Sequence, residues 1–281
     1  MSGICAVLSA GDSSRPEAKA LAQRFAVPNI DASHLESAKL KQLESFIREQ
    51  VSRCDGARAS VFLASENPLR LLQLDADSML SLSADFSSPT LNYRRLKGGG
   101  KQQMLAKAVG LSASSHPRVL DTTAGLGRDA FILASLGASV RMVERVPEVR
   151  ALLGSALEHA RSEKALQAPD FLQTIGRLSL ESGDAVDYLT SLSEANQPDV
   201  IYLDPMFPPR RKSALVKKEM RILHDVVGAD TDAGRLFQAA CTTRVQRIVV
   251  KRPRIASALS DAKPSHVFAG KSNRFDVYLR N

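Results

Sequence analysis

From about Lys97 onward, short apolar runs alternate with helical stretches, and this alternation limits the fold more than any other feature of the chain. Residues 117–121, 139–144, 177–181, 199–204 and 246–250 are brief runs rich in Val, Ile, Leu and Met, the pattern of buried strands. Residues 128–136, 147–161, 185–192, 213–227 and 233–242 read as helices. Two further strands, 265–268 and 275–279, close the series. Such alternation predicts an α/β fold: a Rossmann-like, doubly wound, mostly parallel sheet of seven strands. Ligands of these sheets bind beyond the carboxyl ends of the strands, so chemistry should be sought there.

Residues 1–95 differ in character. They mix apolar runs (4–8 and 60–63) with a helical stretch, 33–54, in which Leu35, Leu40, Leu43, Phe46, Ile47 and Val51 recur at three- and four-residue steps. Residues 69–74 and 78–86 read as strands. A small α+β accessory domain is expected over 1–95, and the ligand-binding domain over 96–281; the 281 residues suffice for both. With 44% hydrophobic and 24% charged residues, the composition is that of a globular chain and excludes a disordered or collagenous one. No run approaches the roughly 18 apolar residues of a membrane span. Residues 1–10 are apolar but carry no basic leader, so a cytoplasmic address is expected. Cys5, Cys54 and Cys241 lie far apart, and the five histidines show no ligand spacing, so neither disulfides nor a metal site is expected. The 38 basic and 30 acidic residues leave a net +8, which points to a polyanionic partner.

The strand ends carry the chemistry. Asp121 leads into a turn containing Gly125 and Gly127, and the next strand ends in Glu144, a carboxylate able to hold ribose hydroxyls. Dinucleotides and S-adenosyl-L-methionine both use this arrangement. Asp121 favours the second, because a carboxylate repels a pyrophosphate and attracts a methionine ammonium group. A later strand ends in Asp204, Pro205, Met206, Phe207, a pattern suited to an exocyclic amine. The lone pair of such an amine is delocalised into its ring. The Asp204 carboxylate and the Pro205 carbonyl can hold its hydrogens and aim it, while Phe207 offers a face for the base to stack on. Residues 204–221 hold six basic residues (Arg210, Arg211, Lys212, Lys217, Lys218, Arg221) against two acidic ones. Lys251 and Arg252 end the following strand, and both runs are expected to meet phosphates on one rim. The basic, glycine-rich segment 97–101 is expected as a flexible loop.

With these residues assembled, the chain resembles the bacterial small-subunit rRNA guanine-N2 methyltransferases that modify guanine 1516 of 16S rRNA. The segments that carry the resemblance are 98–110, 121–131, 143–145, 202–208, 212–221, 249–253 and 274–276, so it spans essentially 97–281. The resemblance implies S-adenosyl-L-methionine as methyl donor, S-adenosyl-L-homocysteine as product and 16S rRNA of the small subunit as partner. It also implies cofactor contacts at Arg128, Asp129, Glu144, Arg145, Asp184, Ala185 and Asp204. The chain departs from the family pattern at 182–184 and at Arg210 and Arg211, which bears on the adenine contact and on RNA affinity. Two other readings stay open at this point: an NAD-type oxidoreductase, for which no proton-relay residue is evident, and an RNA-binding protein without catalysis.

Overall fold

The computed structural model describes residues 3–10, 16–35, 40–52, 59–65, 68–75, 78–162, 169–206, 218–228 and 232–280. In chain order the elements begin with β1 (Ile4–Ser9), α1 (Pro16–Phe25), β2 (Asn29–Asp31), α2 (Leu40–Ser52), β3 (Ser60–Ala64), β4 (Arg70–Asp75), β5 (Ser78–Leu82) and α3 (Pro89–Lys97). There follow α4 (Met104–Ala108), β6 (Arg118–Asp121), α5 (Arg128–Ser135), β7 (Ser139–Glu144), α6 (Pro147–Arg161), α7 (Pro169–Gly176), β8 (Leu178–Ser182) and α8 (Ala185–Thr190). The last are β9 (Val200–Leu203), α9 (Lys218–Val227), α10 (Ala233–Thr242), β10 (Arg247–Pro253), β11 (His266–Ala269) and β12 (Asn273–Leu279).

The chain forms two compact units that interleave in sequence. The first comprises 1–85 with 146–159 and 208–228; the second comprises 86–145, 160–207 and 229–281. The first unit holds a five-stranded mixed sheet of order β2-β1-β3-β4-β5, parallel on the β2 side and antiparallel from β3 to β5. Ala6, Leu8, Val61, Leu63 and Leu72 from these strands bury against Ile47 of α2. The stretch 33–54, expected as one helix, opens with a short 3-10 turn at Ser33–Leu35, whose first residue donates its N–H to Asp31 Oδ1 (2.9 Å), and α2 spans Leu40–Ser52.

The second unit holds the seven-stranded sheet, of order β11-β12-β10-β9-β6-β7-β8. β8, β7, β6, β9 and β10 run parallel, and β12 is antiparallel to both β10 and β11. The strand order reverses between β6 and β9, the switch point at which such sheets bind ligands. β9 is buried along its whole length and β6 nearly so, the signature of strands covered on both faces. One core cluster joins Leu120, Ile201, Leu203 and Val250 to Leu236, Phe237 and Ala240 of α10. Helix α7, which the sequence did not suggest, buries Phe171, Thr174 and Ile175; Phe171 meets Phe131 of α5, which stacks on Phe86. The 97–101 segment is a tight turn rather than an open loop. Gly99 and Gly100 take left-handed φ of 89° and 54°, and Lys101 Nζ donates to the Ser112 carbonyl (2.7 Å). Among the described residues no helix is long and apolar enough to cross a membrane.

Candidate active site

The turn after β6 is stitched to the end of β9. Thr122 donates from both its N–H and its hydroxyl to the Tyr202 carbonyl (3.0 and 2.9 Å), and the Asp204 N–H donates to Thr123 Oγ1 (2.6 Å). Asp121 is buried and accepts from the Thr123 N–H at 3.1 Å. Gly125 and Gly127 have φ of 52° and 70°, a region costly for residues with a Cβ. That geometry lets the Gly125 N–H reach Glu144 Oε2 at 2.9 Å, tying the turn to the end of β7. Gly127 caps α5, so the helix starts directly behind the turn.

A charge network fills the space between these strand ends. Asp129, in the first turn of α5, accepts from Arg94 of α3 on Oδ1 (2.7 Å) and from the Tyr202 hydroxyl on Oδ2 (2.8 Å). Lys251 Nζ donates to Asp129 Oδ2 (2.8 Å) and to Asp204 Oδ2 (2.7 Å). The Lys251 and Asp129 side chains are 23% and 10% exposed, while Asp204 keeps 35%. Burial opposes the charge of Asp129, but Lys251 and Arg94 outweigh it and hold the carboxyl below its ordinary range. For Asp204 burial prevails and raises the carboxyl, with Lys251 opposing and Asp129 adding to the rise. Asp121 is pushed up to about 7, first by burial, against the Thr123 hydrogen bond, and then by the charges of Asp129, Asp204 and Glu144. Burial works against the Lys251 ammonium, yet Asp129 and Asp204 together raise its value.

Among the described residues, four acidic side chains (Asp121, Asp129, Asp204, Glu144) thus meet two cations (Lys251, Arg94). A site of that balance favours a cationic ligand, and S-adenosyl-L-methionine carries both an ammonium and a sulfonium. The room beside Gly125 also fits a ligand approaching the main chain: a Cβ there would meet nothing nearer than the Thr123 carbonyl at 3.9 Å. Among the described residues no group of His, Cys, Asp and Glu is arranged to hold a metal.

The expected site residues divide. Asp121, Gly125, Gly127, Asp129, Glu144, Asp204 and Pro205 gather at the ends of β6, β7 and β9. Arg128 and Arg145 are exposed, and Arg145 pairs with Asp232 at 2.8 Å. Asp184 caps α8 by accepting from the Val186 N–H (2.8 Å), and Ala185 is buried in the core. Phe207, Arg210, Arg211, Lys212 and Lys217 lie outside the described residues, as does the side chain of Lys218; Arg221 is exposed on α9. Two expected phosphate contacts are corrected. Lys251 turns inward to the two carboxylates, and Arg252 is only 3% exposed, beside Arg274 and Asp276. Tyr202, Arg94 and Thr123 are members of the site that sequence reasoning missed.

Glu144 accepts from the Gly125 N–H on one oxygen, and a charge-assisted hydrogen bond from a ribose hydroxyl would be worth roughly 1.5–3 kcal/mol. Glu144→Ala should therefore weaken S-adenosyl-L-homocysteine at least about tenfold. Calorimetry giving an unchanged affinity would remove Glu144 from the cofactor site.

A family model described as "Putative SAM-dependent methyltransferase" matches residues 47–280. The ribosomal RNA small subunit methyltransferase J of Cellvibrio japonicus is 43% identical over 265 residues, covering 94% of this chain and 93% of that protein. The protein of the same name from Pseudoalteromonas atlantica is 50% identical over 224 residues, 79% of this chain and 85% of its own. The crystal structure of a SAM-dependent methyltransferase from Neisseria gonorrhoeae matches with a TM-score of 0.64 at 31% identity, covering 97% of this chain and 95% of that one.

Proposed function

The chain belongs to the ribosomal RNA small subunit methyltransferase J family of S-adenosylmethionine-dependent methyltransferases, and on that basis we propose that it methylates the exocyclic N2 of a guanine in 16S rRNA, at position 1516. The observation that carries this reading is the turn at Asp204 and Pro205, beyond β9, pinned against the glycine turn by Thr123 and tied to Asp129 through Lys251.

The cofactor supplies a methyl group on a positively charged sulfur. Glu144 and the Gly125 turn hold its nucleoside end, and Asp121 attracts its ammonium group. The acceptor nitrogen gains a bond to the methyl carbon as the carbon–sulfur bond breaks and S-adenosyl-L-homocysteine leaves, and the nitrogen then gives one proton to solvent. Asp204, whose Oδ2 is held by Lys251, accepts a hydrogen bond from the amino group and steadies the positive charge that grows on nitrogen. The Pro205 carbonyl adds a second acceptor, and Phe207 stacks the extruded base. Transfer then depends chiefly on orientation. The site lies wholly within the second unit, and the first unit is accessory to it in this reading. A small-subunit rRNA substrate also implies a cytoplasmic location.

Incubation with labelled S-adenosyl-L-methionine and undermethylated small subunits, followed by mapping of the modified base, tests the reading. Label on a guanine N2 of 16S rRNA supports it; label elsewhere, or none, overturns it. The basic run after Asp204 adds a second expectation. Changing Arg210, Arg211 and Lys212 together to Gln should weaken RNA binding and lower the log–log salt slope by about 0.7–0.9 for each phosphate that is no longer neutralised. Cofactor affinity should not change. An unaltered slope would leave that run without a phosphate role.

A further inference from the structure

We propose that Lys251 is a positioning residue for methyl transfer, its ammonium clamped between Asp129 and Asp204 so that it fixes the Asp204 carboxylate in place for the base amino group. The inference rests on the reading above, in which Asp204 receives that group. The pairing of Val250 with Leu203 in the parallel β9–β10 ladder sets Lys251 alongside Asp204. Its side chain crosses the switch point and ends 2.7 Å from Asp204 Oδ2 and 2.8 Å from Asp129 Oδ2, both within the range of charge-assisted bonds. At 23% exposure, with its charge shared by two carboxylates, it is poorly placed to serve a phosphate.

Asp204 needs this help because burial, and then the Asp129 charge, oppose its ionisation. Asp129 from α5, Asp121 from β6 and Glu144 from β7 are acidic, the Tyr202 hydroxyl of β9 donates to Asp129, and the Arg94 guanidinium of α3 is held by Asp129. Like charges disfavour ionisation, and a neutral carboxyl is a weaker acceptor for an amino hydrogen. Among the described residues Lys251 is the cation bonded directly to Asp204. Asp129 also accepts from Lys251, so the ammonium is held by two carboxylates at once. Lys251 thus acts through Asp204 and has no need to touch base or cofactor.

The test is the pH dependence of single-turnover methylation on undermethylated small subunits, for wild type, Lys251→Met and Lys251→Arg. Loss of a cation at this distance should move the acidic limb of the Lys251→Met profile up by about one to three pH units and cut the rate at pH 7 at least about tenfold. The RNA concentration for half-saturation should stay as in wild type. Lys251→Arg keeps the charge and should keep the limb near its wild-type position, with part of the rate restored. The same upward movement should appear in the carboxyl ¹³C titration of Asp204 without cofactor or RNA, the resonance being assigned with Asp204→Asn. An unmoved limb, or a loss that appears instead as weaker, salt-dependent RNA binding, overturns the proposal. If Lys251→Met does not fold, Lys251→Gln decides: it keeps hydrogen-bond donors without the charge, the limb should again move up, and an unmoved limb overturns the proposal. If wild type transfers no methyl group, the functional reading fails, while the ¹³C titration still tests the hold of Lys251 on Asp204.

Discussion

Asp204→Ala should lower the single-turnover rate of methyl transfer by about 10²–10³, the usual cost of removing one preorganised group at a reacting centre. The fold should survive. The bond that fixes this turn is made by the Asp204 backbone N–H to Thr123 Oγ1, and an alanine keeps it. Lys251 would still be paired with Asp129, so no buried ammonium is left without a counter-charge. What goes is the acceptor for the amino hydrogens and the negative charge beside the nitrogen as it turns positive. Asp204→Asn keeps an acceptor oxygen without the charge and should fall between alanine and wild type. Phe207→Ala should slow turnover through weaker base stacking, worth roughly 1–3 kcal/mol, a loss that more RNA can partly recover. The measurement is single-turnover transfer to undermethylated small subunits, with S-adenosyl-L-homocysteine affinity as the control. If Asp204→Ala kept more than about a tenth of the wild-type rate, far above the expected loss, Asp204 would not be the group that receives the base.

How much of this was legible in the sequence follows from the range of each interaction. β7 and α6 begin and end where the residue pattern puts them, because a strand covered on both faces is a short apolar block bounded by polar residues. Glu144 and Asp204 stand at strand ends, so finding the strands found them as well. The charge network was out of reach: Asp129 lies 35 positions from Arg94, 73 from Tyr202 and 122 from Lys251, and no local pattern connects them. Lys251 and Arg252 read in the sequence as one phosphate-facing run. Consecutive strand residues point to opposite faces, so two adjacent cations in β10 had no reason to share an environment. Asp184 is different, since its role could have been read locally. An Asp immediately before a helix is a preferred cap, and the structure uses it as one. Helix α7 escaped because eight residues with three buried side chains give too short a pattern to recognise.

Cofactor affinity should rise with pH up to neutrality, and Asp121 should be the reason. Its carboxyl, near 3.8 in ordinary surroundings, is pushed up to about 7, by burial first, against the Thr123 N–H hydrogen bond, and then by Asp129, Asp204 and Glu144. The cations nearby, Lys251 and Arg94, are held by Asp129 and Asp204 and do not bond Asp121. Below neutrality Asp121 therefore holds a proton in the folded protein that the unfolded chain has already released. Its contribution to stability is complete below about pH 4 and is lost as pH rises through about 7. A bound cation reverses this, because it favours the ionised form. From about pH 5 to 7 the affinity for S-adenosyl-L-methionine should climb by up to about tenfold per pH unit and then level off, with one proton released on binding below neutrality. Asp121→Asn cannot ionise. It should weaken binding by up to about 100-fold, as expected for one charged partner worth up to roughly 3 kcal/mol, and should flatten the pH dependence. Thermal shifts read both halves of the argument. The melting temperature of the free protein should fall more steeply with pH in wild type than in Asp121→Asn, while the rise on adding ligand should grow with pH in wild type alone. Equal slopes in the two proteins would mean that the proton belongs to another group and that Asp121 only anchors the turn.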